Sequence, residues 1–141
     1  MSPLTEGQET GVREIDAGNE GLQYLLQRLF APLVECRRVA GPCDFRACTK
    51  IQAIIRYTGR NFAGQEAVMT DADYPNGNDH QRHHASLLDG LKQMQAECVC
   101  AERDSASVRA FIARWTTDHL QRCDRPFGRW AVTRRVLPPV A

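Results

Sequence analysis

His80 and His84 stand four residues apart in the run Tyr74-Pro75-Asn76-Gly77-Asn78-Asp79-His80-Gln81-Arg82-His83-His84. On an α-helix that spacing stacks two imidazoles on one face, at the separation a single transition-metal ion needs. His119 and Asp124, five residues apart near the end of another helical pattern, add a third imidazole and a carboxylate. Three of the four histidines in the chain therefore fall into two pairings with ligand spacing. The plain alternative is that these are surface residues of ordinary helices, and the elements that carry them decide between the two.

Apolar periodicity marks four helical stretches and no strand. The first runs from about Ile15 to Arg38, with Leu22, Leu25, Leu26, Leu29, Phe30 and Leu33 on one stripe. Pro32 should kink or interrupt it, and Gly41-Pro42 stops it. The second runs from about Asp44 to Met69, with Ile51, Ile54, Ile55, Thr58 and Phe62 on one face. Breakers from Asp73 to Gly77 form a turn, and a third helix begins behind Asn78 or Asp79, either of them a good N-cap. It turns His80, His84, Leu87, Leu88, Leu91 and Met94 inward. The fourth, capped near Asp104 or Ser105, places Val108, Phe111, Ile112, Trp115 and His119 on one face, and Pro126 and Gly128 close it. Four such helices with short connections make an all-α, antiparallel up-down-up-down four-helix bundle. In that topology the start of the third helix and the end of the fourth share one end of the bundle, so the two ligand pairings meet. A buried polar cluster of this kind costs several kcal/mol unless its groups are paired or bound to metal.

Composition narrows the setting. The 141 residues suit a single domain over 1–141, with a loose polar arm over 1–12 and a tail over 131–141. A net charge of +1 gives no field to draw nucleic acid or an anionic membrane, so neither is expected as a partner. No apolar run approaches the length of a membrane span. The opening Met1-Ser2-Pro3-Leu4-Thr5-Glu6 has neither a basic segment nor an apolar one, so no secretion signal is read and a soluble cytoplasmic protein is expected. In that compartment six cysteines are thiols or metal ligands before they are a disulfide framework.

Taken together, these motifs resemble the hemerythrin-like (bacteriohemerythrin, HHE cation-binding) proteins. The resemblance runs from Gly11 to Trp130. It rests on Gly11-Val12 through Ile15-Asp16, on Tyr57 to Met69 with Asn61-Phe62 and Glu66, on Tyr74-Pro75 ahead of His80 and His84, and on the HxxxxD ending from His119 to Asp124. The family implies a bundle that holds two irons with five histidines and two bridging carboxylates and binds O2 reversibly. His80, His84, His119 and Asp124 match its ligands. Three positions depart: Asn19 stands where the family has a first-helix histidine, and Asn61 and Gln65 stand in place of HxxxE. Neutral amides are weak ligands for divalent transition metals and supply no negative charge. Against the family pattern, the two histidines of one iron and one bridging carboxylate are gone. What remains is one three-histidine, one-carboxylate site, and a dinuclear O2 carrier is disfavoured. Asn19, Asn61 and Gln65 either plug the vacated second-metal position with hydrogen bonds or line an open coordination position.

Other polar residues read more plainly. His83, about 100° round the helix from His84, is a solvated surface residue. Cys123, four after His119, is a small buried hydrophobe that could face the site, and Trp115 is a core wall of the metal pocket. Cys36, Cys48 and Cys98 lie on the stripes at the end of the bundle remote from the histidines, with Cys43 and Cys100 in nearby loops. They are free thiols, a redox disulfide or a thiolate metal site, and their spacing does not choose.

Function divides three ways. A binding or sensing module would hold one iron that takes a small ligand such as O2 or NO. An enzyme would use mononuclear iron for oxygen or peroxide chemistry, or zinc to activate water. A degenerate structural bundle would bind nothing tightly. The sequence shows no placed general base, which ranks binding above catalysis. Iron is placed first and zinc second; imidazole suits both, and the sequence does not choose between them.

Overall fold

The computed structural model describes Leu4 and residues 8–28, 49–96 and 105–138, and all its elements are helical. In chain order they are α1 (Arg13–Arg28), α2 (Thr49–Asp71), α3 (Gly77–Ala96), α4 (Ser105–Arg114), a π-helical segment (Trp115–Asp124) and α5 (Arg125–Thr133). The last three run on without a break, so they form one long fourth helix with a π interior. The expected continuation of the first helix to Arg38 through Pro32, and the start of the second at Asp44, fall outside the described residues. So do Cys36, Cys43, Cys48, Cys98 and Cys100. No helix among the described residues is long and apolar enough to cross a membrane.

The apolar stripes bury as their spacing predicts. Leu22 and Leu26 of α1, Ile51, Ile54 and Phe62 of α2, Leu87, Leu91 and Met94 of α3, and Val108, Trp115 and Leu120 of the fourth helix form one core. Val12, Ile15, Met69, Phe127 and Ala131 form a second, smaller one. The helices α1 and α2 approach closely at two glycines. A Cβ on Gly18 would stand 2.1 Å from Asn61 Oδ1, and one on Gly21 would stand 2.1 Å from Tyr57 Oη. The Tyr57 hydroxyl donates to the Gly18 carbonyl at 2.9 Å, which fastens the crossing.

Three boundaries differ from the sequence reading. The polar arm is anchored before residue 12: Leu4 and Val12 are buried, and Asp16 accepts from the Thr10 backbone N–H at 2.8 Å and the Thr10 hydroxyl at 2.7 Å. A carboxylate in the first turn of α1 thus satisfies donors just ahead of the helix. α3 begins at Gly77, not behind Asn78 or Asp79, with the Asn76 carbonyl accepting from the His80 N–H at 3.0 Å. Pro126 and Gly128 do not close the fourth helix, which continues to Thr133. At the junction the Arg125 N–H bonds the Leu120 carbonyl, an i→i−5 bond that ends the π register. Pro126 then sits in the first turn of α5, where its missing N–H and fixed φ are tolerated. Phe127 and Ala131 are in turn buried in the second core, and Val136 and Leu137 beyond them pack against it.

Candidate metal centre

His80, His84, His119 and Asp124, the four residues expected to meet, converge. Each offers one ligand atom, all of these lie within 4.8 Å of one another, and all four side chains are buried. The first two come from consecutive turns of α3. The other two come from the π segment, and that segment is what makes an i, i+5 pair work. Five residues along an α-helix is about 140° round the axis, which would turn Asp124 away from His119. In i→i+5 bonding the fifth residue returns over the first, so both side chains share a face.

Asp124 is the hub. Its Oδ1 lies 2.9 Å from His80 Nε2 and 2.8 Å from His119 Nε2. Its Oδ2 accepts from Asn19 Nδ2 at 2.7 Å. Asn19 Oδ1 in turn accepts from Asn61 Nδ2 at 3.3 Å. Two of the three amides are therefore joined in a chain ending on the carboxylate, which is the plugging arrangement. Gln65 differs: its side chain is buried, and neither its oxygen nor its nitrogen has a hydrogen-bond partner. A recess of about 240 Å³ reaches Asn61 and Gln65 past Ile15 and Phe127, with Glu14 and Arg60 also on its lining.

Aromatic packing holds the imidazoles. Phe62 stacks on His84 with ring centroids 3.8 Å apart and planes 3° from parallel. His80 meets Phe127 edge-on at 5.8 Å. Since Phe62 belongs to the main core and Phe127 to the second, the polar cluster is wedged between the two. Phe62 was legible only as a core residue. Glu66 was legible only as part of a motif, and its Oε2 lies 3.4 Å from His84 Nδ1. A carboxylate on that side favours the tautomer with the proton on Nδ1, which leaves the lone pair on Nε2.

Electrostatics separate His84 from His119. Burial, reinforced by His119 and His80, pushes His84 down to about 2, so it is a neutral imidazole. Burial also works to lower His119, but the adjacent Asp124 carboxylate and Cys123 together outweigh it and raise His119 to about 9. Burial would raise Asp124, yet the His119 charge and hydrogen bonds from His119 and His80 hold it well below the usual carboxylate range. His119 and Asp124 thus form a buried ion pair.

The donor set fits a metal ion. Bonds of about 2.0–2.2 Å place neighbouring ligand atoms about 3 Å apart, close to the observed separations around Asp124 Oδ1. Nδ1 of His80 and both ring nitrogens of His84 also stand buried without hydrogen-bond partners, an arrangement that is costly unless something binds them. His83 is exposed, in line with its helix phase, and Cys123 is half-buried beside the site with a free thiol. Trp115 is buried in the main core.

The chain is 26% identical over 118 residues to a curated protein named bacteriohemerythrin from Stenotrophomonas maltophilia (strain R551-3), a match that spans 84% of this chain and 73% of that protein. No family model matches the chain. No solved structure matches it either. With that relative aligned over most of its length, an all-helical body and a buried group of three histidines and an aspartate, the chain fits the hemerythrin-like family.

Proposed function

We propose that this protein binds a single transition-metal ion, iron in preference to zinc, through His80, His84, His119 and Asp124, and that it presents the ion to a small ligand such as O2 or NO. The observation that carries the reading is the fate of Asp124 Oδ2, which ends on the Asn19 amide. A carboxylate shared between two ions needs both oxygens for metal, and here one of them accepts a hydrogen bond. Asn61 supports Asn19 in that role. The half of the pocket they fill offers neutral amides where a second ion would need imidazole or carboxylate.

Three imidazoles and one carboxylate leave an octahedral ion with open positions, and a ferrous ion bound there would supply an electron-rich centre for a diatomic ligand. The recess that reaches Gln65 supports access for such a molecule, and the unpartnered Gln65 amide can hydrogen-bond a water or ligand beside the ion. Binding and sensing fit better than catalysis, because among the described residues no general base faces the cluster beyond the groups already engaged in it. A soluble, cytoplasmic setting suits a ferrous site and a free thiol. The test is anaerobic titration of the iron-loaded protein with NO. A change in the optical spectrum that saturates at one NO per iron supports the reading. Bound iron that shows no response to NO contradicts it.

A further inference from the structure

A second group of donors shares one member with the buried quartet. His83, His119 and Cys123 each offer a ligand atom within 4.8 Å of the others. They grade inward, from exposed His83 through the half-buried thiol of Cys123 to buried His119. The ring centroids of His83 and His119 are 6.3 Å apart. In the π register both the fourth and the fifth residue after His119 come back toward its face, so Cys123 and Asp124 both stand near the imidazole. Nε2 of His119 faces Asp124. Its Nδ1 is not turned to that carboxylate and is the nitrogen left for the outer pair. A recess of about 110 Å³ opens beside His83 and His119, with the opposite charges of Arg114 and Asp118 on its lining.

We propose that His83, His119 and Cys123 form a second, outer metal site for a thiophilic divalent cation such as zinc. Two imidazoles and a thiolate, completed by one water in the recess, make a tetrahedral set that zinc favours, whereas the buried quartet has no sulfur. The Cys123 thiol gives up its proton on binding. A neutral imidazole offers one lone pair, so His119 serves one ion at a time and zinc in the outer site draws it from the quartet. That competition rests on the proposed reading of the quartet; the outer site itself does not.

The probe is zinc, and the readout is the alkylation rate of Cys123 in the full chain, followed on its own peptide by mass spectrometry so that the other cysteines do not contribute. Zinc should slow alkylation by at least about tenfold, because a metal-bound thiolate is no longer a free nucleophile. His83→Ala, at an exposed position, should abolish the protection. His84→Ala, which breaks only the quartet, should keep it. No protection in the unaltered chain, or protection that survives His83→Ala, overturns the outer site. Protection that persists in a His84→Ala protein whose iron content is also unchanged leaves the outer site standing and overturns the quartet instead.

Discussion

Asn19 Nδ2 and Asp124 Oδ2 meet at 2.7 Å across 105 residues of sequence, joining the first helix to the end of the π segment. That one hydrogen bond closes the carboxylate oxygen not turned toward His80 and His119. Restoring the ligands should reopen it. The triple variant Asn19→His, Asn61→His, Gln65→Glu should take up a second iron under loading, measured as iron per folded chain. A variant that folds yet gains no metal would show that the pocket has closed around its amides beyond the ligands themselves.

His84 and His83 are neighbours in sequence and opposites in setting, one buried against Phe62 and the other exposed. His84→Ala should remove most of the bound iron, since it breaks the pair on α3 and leaves one imidazole on each of two elements. His83→Ala should leave iron content nearly unchanged. Equal losses from the two, by elemental analysis of the purified variants, would contradict the helix phase.

Glu66 acts through His84. Glu66→Gln removes the charge beside His84 Nδ1 without touching the cluster, and should weaken iron affinity about 10- to 100-fold. Competition against a chelator of known strength measures it. Unchanged affinity would mean that Phe62 alone sets the ring.

Gly18 tests the crossing that delivers Asn19. Gly18→Ala places a methyl 2.1 Å from Asn61 Oδ1, so the amide or the helix must move. The expected cost is about 1–3 kcal/mol, read as a lower thermal midpoint. A neutral or stabilising result would mean that α1 and α2 are farther apart than described.

The stripes from Leu22 to Leu120 and the convergence of His80, His84 and His119 were legible because both follow from fixed periods along the chain, whereas Asp124 joins them only through the π register. The π segment was not legible. No residue type in Trp115 to Asp124 distinguishes it from α-helix, and Pro126, read locally, argues for a stop. Tertiary packing decided otherwise, because Phe127 and Ala131 bury only if the helix continues. The departures at Asn19, Asn61 and Gln65 were legible as missing ligands. That Asn19 and Asn61 bond to each other while Gln65 stays unpartnered was not, since hydrogen bonds between helices depend on spacing and rotamer that periodicity does not encode.

Metal stoichiometry tests the single-ion site most directly. Protein purified after expression with excess iron, desalted and analysed for iron, zinc and protein on one sample, should carry no more than about one tightly held ion per chain, because the second position offers only amides to a cation. Two irons per chain, with the optical absorption of an oxo-bridged pair, would contradict it.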